Sequence, residues 1–297
     1  MTLQSSGPIS FSQIRSEFGS VGNDALSSYG ALDSGIPASG ATIKFSNFYN
    51  KMINATRTVS ANQTNYNART DFQNATIVGG KKTTATVYSS NQTVKYYLTV
   101  DSGVVIGASD TANTAFVTGS WPGGSYFQLN NVGYIVGAGG AGAGDAGGAG
   151  GAGGNALNVS SNLAINNTGT IAGGGGGGGA GSDGYANGCQ QTGCCQQECY
   201  TATAVHGGGG GGAGFPAGTG GYNAGSSGSL TAGGVGGGGY CSSNGNQTAC
   251  STSGGSGGAL GAVGSGSAGS GGAAGNYIVG NSYVTWLAYG SIAGGAS

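Results

Sequence analysis

The chain has 297 residues with 71 glycines, eight basic and nine acidic groups. Only four prolines are present and the glycine runs ignore a three-residue rule, which excludes a collagen triple helix. Every Lys and Arg lies at or before Lys95, leaving residues 96–297 with five acidic groups, and this excludes a phosphate-binding nucleic-acid surface there.

No apolar run reaches transmembrane length. The first thirty residues lack the basic and apolar regions of a signal peptide. Synthesis in a cytoplasm, with no membrane insertion, is the expectation.

Residues 1–51 hold a degenerate repeat, in which Ile9-Ser10-Phe11-Ser12-Gln13-Ile14 is echoed by Ile43-Lys44-Phe45-Ser46-Asn47-Phe48. In each copy an extended apolar stretch meets a serine suited to cap a short helix. A segment with so few large apolar groups makes a poor core by itself. It reads as a docking module completed by a partner, through Ile9, Phe11, Ile14, Phe18, Ile43, Phe45, Phe48 and Tyr49.

Residues 52–136 read as strands. The stretches 84–87, 94–100, 104–106 and 115–118 are β-branched and aromatic, and turn signals separate them. A small β-sandwich is predicted.

From residue 137 the chain holds 57 glycines, against 14 before it. A flexible spacer is one reading. Order would require compensation for the large entropy that glycine loses on folding. Three-fold, polyproline-II-like glycine helices supply it, because their outward N–H and C=O groups can bond neighbouring helices. Residues 147–154 set alanine at every third position, on one face of such a helix. The pure runs 173–179 and 207–212 have no such face and suit enclosed positions. The predicted fold is therefore mostly β and irregular, with a docking module at 1–51, a β-domain at 52–136 and a packed polyglycine-II bundle over 137–297.

One phrase recurs: Leu129-Asn130-Asn131-Val132-Gly133-Tyr134-Ile135, then Ile165-Asn166-Asn167-Thr168-Gly169-Thr170-Ile171, then a partial Gly290-Ser291-Ile292. Asn-Asn-x-Gly supplies a turn and the isoleucine an apolar anchor. Three copies indicate a repeated structural unit. If the phrases mark one end of the bundle, 183–206 and 240–253 lie at the far end, 222–231 turns at the near end, and 137–154 folds back near Asp145.

That count brings six cysteines to one tip: Cys189, Cys194, Cys195 and Cys199, then Cys241 and Cys250. Disulfides, zinc and free thiols are the alternatives. The even count in loop-rich sequence favours disulfides, and adjacent Cys194 and Cys195 without Cys-x-x-Cys argue against a metal. Cys241 is expected to pair with Cys250, and the other four among themselves. The candidate contact residues are Asp145, Tyr185, Asn187, Gln190, Gln191, Gln196, Gln197, Glu198, Tyr200, Tyr240, Asn244 and Asn246.

Chemistry finds little footing. His206 is the sole histidine and borders a glycine run; a loop histidine is the plainer reading than a pair with Cys199. The acids beyond residue 95 are well separated in sequence, so the close carboxylate pair of a glycan depolymerase is a weak alternative. No enzyme, cofactor or metal is predicted. Asn-x-Ser/Thr sequons such as those at Asn54 and Asn246 read as turn chemistry.

The Asn-Asn-x-Gly-x-Ile phrases with their glycine runs resemble bacteriophage tail-fibre adhesins, in particular the distal receptor-recognition proteins of T-even-like phages. The Ile-x-Phe-Ser modules resemble those at the front of many phage tail proteins. The resemblance implies a glycine-helix sandwich in a virion, whose tip loops bind a bacterial surface receptor of protein or glycan. Its partners would be that receptor and, through residues 1–51, another tail protein; one copy or three per fibre stays open. A structural glycine-rich matrix or virion protein without receptor specificity is the competing reading.

Overall fold

The computed structural model describes residues 3–20, 25–33, 35–38, 40–78, 82–192 and 196–297. The N-terminal module opens with α1 (Phe11–Phe18), whose Ser10 cap accepts from the Gln13 N–H while the Gln13 side chain accepts from the Ser10 N–H. In the second copy Lys44 replaces that serine, and only half of the box survives: Asn47 Oδ1 accepts from the Lys44 N–H at 2.7 Å, and Phe45–Phe48 forms a single 3₁₀ turn.

The module buries more than its composition suggested. Ile14, Phe18, Tyr29 and Phe48 are fully buried against Leu3, Ile9, Leu32 and Ile36. The two repeat copies pack on each other, with Tyr29 between Phe11 and Phe48 at ring distances of 5.8 and 6.4 Å. Ile9, Ile14, Phe18 and Phe48 are thus core rather than a docking face. Phe11, Ile43 and Tyr49 are half-buried, and Phe45 is the exposed one. The shortfall expected of a fifty-residue core is met by aromatic packing across the repeat.

Beyond it the chain winds as a three-sided parallel coil. The first turn has β1 (Asn54–Val59), β2 (Gln63–Thr64) and β3 (Tyr66–Asn67), followed by α2 (Ala68–Asp71), β4 (Thr76–Val78) and α3 (Thr84–Ser89). The second has β5 (Lys95–Val100), β6 (Val105–Gly107) and β7 (Phe116–Val117). The third has β8 (Tyr126–Asn131), β9 (Tyr134–Val136) and β10 (Leu157–Asn158). The fourth begins with β11 (Leu163–Asn167) and β12 (Thr170–Ala172). After two hairpins, β13 (Gly184–Gln191) with β14 (Gln197–Ala204) and β15 (Cys241–Asn244) with β16 (Gln247–Cys250), it is completed by β17 (Asn276–Val279). The fifth is β18 (Val284–Ala288), β19 (Ser291–Ala293) and β20 (Gly295–Ala296).

Strands stack by face. The first face runs β18-β11-β8-β5-β1-β4, the second β19-β12-β9-β6-β2, the third β20-β17-β10-β7-β3. Within these three sheets the described ladders are parallel except β1 with β4. Inside, identical positions form columns: Ile106, Ile135, Ile171 and Ile292 on the second face, Phe116, Leu157 and Ile278 on the third. The recurring phrase is the corner between first and second faces. Its second asparagine points inward, where Asn131 Nδ2 donates to Asn167 Oδ1 at 2.8 Å with both side chains buried.

Two expectations change here. The β-region is not a sandwich closing at residue 136, because strands up to Ala296 continue the same three sheets. Short strands between turn signals look alike in either architecture; pairing between coils is non-local. Residues 84–87 form a helix, not a strand, because Thr83 caps it through the Thr86 N–H.

The glycine-rich sequence leaves the coil twice, between β9 and β10 and between β12 and β17. It runs back and forth in ten legs: 137–144, 148–154, 173–181, 207–213, 217–221, 225–229, 233–239, 251–258, 262–266 and 269–275. In the third leg the hydrogen bonds cycle with a period of three. The N–H groups of Gly175, Gly178 and Gly181 donate to Ala213, Gly210 and Gly207; those of Gly174, Gly177 and Ala180 to Gly154, Gly151 and Gly148; those of Gly176 and Gly179 to Ala262 and Ser265. Its carbonyls accept from three other legs, through residues such as Gly140, Gly258 and Gly272. The fourth leg has six neighbours in the same way, donating to Gly140, Ser226 and Gly258 and accepting from Gly175, Gly218 and Gly234. These two legs are the pure glycine runs, and they are buried throughout.

At the coil end of the bundle, Phe215, Leu230 and Leu260 pack on Val105, Val136 and Ala172. The turn expected at that end over 222–231 is divided. Leu230 is there, but Tyr222 is at the far end beside Gly208, because 207–221 holds two legs rather than one. The added pair of legs keeps the later parity.

Candidate functional site

The far end of the bundle carries the two hairpins. In the first, Cys189 pairs in register with Cys199 and the two form a disulfide. In the second, Cys241 and Cys250 do the same. Cys194 and Cys195 lie outside the described residues. Zinc binding by Cys189 and Cys199 is superseded by their disulfide.

The hairpins pack on each other. Ala186, Ala202, Ala204 and Ala249 form a small apolar layer between them. Asn244 Nδ2 donates to the Thr201 carbonyl at 3.0 Å, and the Val205 N–H donates to Tyr240 Oη at 3.3 Å. Gly245 turns the second hairpin at φ +61° with the Tyr200 ring against its backbone; a Cβ there would lie 2.6 Å from the ring. Glycine is required on both counts.

Where the first hairpin meets the bundle, His206 ties three segments. Its Nδ1 lies 2.8 Å from Asp183 Oδ1, and its Nε2 lies 2.7 Å from the Gly144 carbonyl. A carbonyl oxygen and an ionised carboxylate only accept, so the arrangement favours the form of the ring that carries a proton on both nitrogens. The Gly144 carbonyl, then Asp183, hold its pKa above the ordinary histidine value, and His206 in turn lowers that of Asp183. His206 is therefore a clamp and no partner of Cys199. It is the only candidate cation among the side chains of residues 96–297.

The sequence-predicted contact residues fall at this end. Tyr185 and Tyr240 are 67% and 52% exposed. Asn187, Gln190, Gln191, Gln196, Gln197, Glu198, Asn244 and Asn246 are exposed, and Tyr200 is half-buried with its hydroxyl donating to Glu198 Oε2 at 2.5 Å. Asn187 is held by Tyr185 and Thr201, through bonds of 2.9 Å each. Asp145 is exposed in the turn after Gly144. Tyr222, 79% exposed, joins this end without having been predicted; its place between glycine runs was the available signal. The surface so formed is aromatic, amide-rich and mildly acidic, suited to contact by large side chains of low rotamer entropy.

Residues 54–297 match the family model described as "Phage tail fibre adhesin Gp38". The chain belongs to this family. It is a tail-fibre adhesin of a phage virion and binds a bacterial surface receptor. The family match begins at the first residue of β1, so the N-terminal module precedes it. The adhesin's fold is similar to that in the crystal structure of the gp37-gp38 adhesin tip complex of the bacteriophage S16 long tail fiber, at 24% identity and a TM-score of 0.54, over 99% of this chain and 100% of that one. None of the curated proteins matches the adhesin.

Proposed function

We propose that the adhesin grips its receptor with the two disulfide-closed hairpins, held away from the coil by a bundle of polyglycine-II helices. The observation that carries this reading is the mutual packing of the hairpins at the end of the ten legs farthest from the coil. Tyr185, Tyr200, Tyr240 and the amides Asn187, Gln190, Gln191, Gln196, Gln197, Asn244 and Asn246 form the contact surface, with Asp145 and Glu198 at its margin. Disulfides and the His206 clamp reduce the ordering that binding must impose on such loops. The three-residue hydrogen-bond cycle supports the polyglycine-II assignment.

The contact surface acts by binding rather than by catalysis. At the other end, residues 1–51 and the coil attach the adhesin to another tail protein; the S16 relative, which forms a gp37-gp38 complex at the fibre tip, supports this reading. Binding of the purified adhesin to whole host cells tests the receptor assignment. A Tyr185→Ala/Tyr240→Ala variant with an unchanged melting temperature is expected to lose at least tenfold in cell binding; wild-type binding would move the receptor site elsewhere.

A further inference from the structure

Neither described disulfide joins the two hairpins. Cys189–Cys199 and Cys241–Cys250 each close one hairpin on itself, so among the described residues the placement of one hairpin on the other rests on non-covalent packing. A two-stranded hairpin alone in water is marginally stable at best. A receptor that touches both hairpins reads that placement directly.

Side chains alternate along a strand, and the register sorts them by face. On the first hairpin the pairs Gly184 with Ala204, Ala186 with Ala202 and Gly188 with Tyr200 share one face. That face meets the second hairpin, because Ala186, Ala202 and Ala204 pack on Ala249. The opposite face carries Tyr185 with Thr203, Asn187 with Thr201, and the Cys189–Cys199 disulfide. On the second hairpin Ser242 with Ala249 and Asn244 with Gln247 turn inward, while Ser243 with Thr248 and the Cys241–Cys250 disulfide turn outward. The tip is thus two layers with a disulfide on each outer side.

Two side chains cross between the layers in opposite directions. Tyr200 of β14 lays its ring on the backbone of Gly245, in the turn of the second hairpin. Gln247 of β16 lays its carboxamide over Gly188 of β13, where a Cβ would overlap it. Each hairpin therefore contributes one projecting side chain and one glycine that receives the other's. Gly188 and Tyr200 are cross-strand partners, so knob and notch sit on the same rung of the first hairpin. The bond from Asn244 Nδ2 to the Thr201 carbonyl closes the junction beside them. Neither hairpin can slide along the other without withdrawing both side chains.

We infer that Tyr200 and Gln247 are positioning residues for receptor binding, fixing the two hairpins as one recognition unit. Tyr200 acts through Gly245, and Gln247 through Gly188. This rests on the receptor reading above, where Tyr200 stands in the contact surface, and gives its ring a second part. Placement settled before contact removes an ordering cost from binding.

Hydrogen exchange of each hairpin, read by mass spectrometry, and binding of the purified adhesin to whole host cells test this together. Tyr200→Ala is expected to speed exchange in β15–β16 at least tenfold and to lower cell binding at least tenfold, with the melting temperature of the bundle unchanged. Tyr200→Phe keeps the ring on Gly245 and loses only the bond to Glu198, so it should match wild type in both. Gln247→Ala carries the test from the other side should Tyr200→Ala fold poorly, with faster exchange expected in β13–β14. Lost binding with unchanged exchange in the opposite hairpin makes the residue a contact only and overturns the proposal. A Tyr200→Phe variant as weak as Tyr200→Ala overturns it as well, because the hydroxyl and not the ring would then matter. Faster exchange with wild-type binding also overturns it, since the hairpins would separate without consequence. In that case Tyr185→Ala/Tyr240→Ala locates the failure: lost binding keeps the receptor at the tip, and wild-type binding removes it from there.

Discussion

A Cβ on Gly176 would lie 1.9 Å from the carbonyl oxygen of Gly272. That contact is backbone on backbone, so no rotamer change relieves it. Ala149, by contrast, already carries an exposed Cβ on the outside of the bundle. Gly176→Val should cost about 3 kcal/mol or more through overpacking and broken inter-leg bonds. Ala149→Val should stay within about 0.5 kcal/mol. Differential scanning calorimetry of the two variants decides it, and equal melting points would refute the enclosed position of the third leg.

The His206 clamp sets a pH dependence for the tip. The pKa of His206 is raised above its ordinary 6.5, so its contribution is complete below that value and is lost as pH rises through the folded-state pKa. The pKa of Asp183 is lowered from its ordinary 3.8, so its contribution is present above that value and lost as pH falls through the folded pKa. Protection against amide exchange at Gly147 and in the β13–β14 hairpin, taken relative to the intrinsic rate at each pH, is expected to be greatest between about pH 4 and 6.5, and to fall on the alkaline side beyond the intrinsic base-catalysed trend. His206→Gln should abolish that fall; an unchanged profile would show the clamp to be idle.

The buried asparagine column should behave as a unit. Asn131→Leu leaves Asn167 Oδ1 without its donor, and a stranded buried polar atom costs about 1–3 kcal/mol. Replacing Asn131 and Asn167 together removes both partners and should cost less than the sum of the single changes. Denaturant unfolding of the four proteins in this cycle measures the coupling. Strict additivity would mean that the bond contributes nothing.

Closing a loop of the size between Cys241 and Cys250 stabilises the closed form by about 2–3 kcal/mol. Because the hairpin lies beyond the legs, Cys241→Ser/Cys250→Ser should weaken cell binding while leaving the main melting transition in place. Dithiothreitol should reproduce the loss in the wild-type adhesin. A large fall in melting temperature would instead make this disulfide a staple of the bundle.

The sequence by itself carried the local chemistry. Runs 173–179 and 207–212 announced enclosed legs because nothing but glycine tolerates backbone at every side, and Cys241 and Cys250 announced a loop closed by their pairing. The Asn-Asn-x-Gly-x-Ile phrase disclosed a repeating corner, since turn and anchor are both encoded within seven residues. Tertiary structure decided what those units were stacked into. Whether Ile135 meets Ile171 in a parallel coil or a strand in a sandwich depends on pairing across intervening chain, which local pattern does not encode. The same holds for Ile14, Phe18 and Phe48, apolar in sequence whether they face a partner or one another, and buried here because the two repeat copies fold together. His206 gained its role only when two turns and a hairpin converged on its ring, a meeting set by the parity of ten legs.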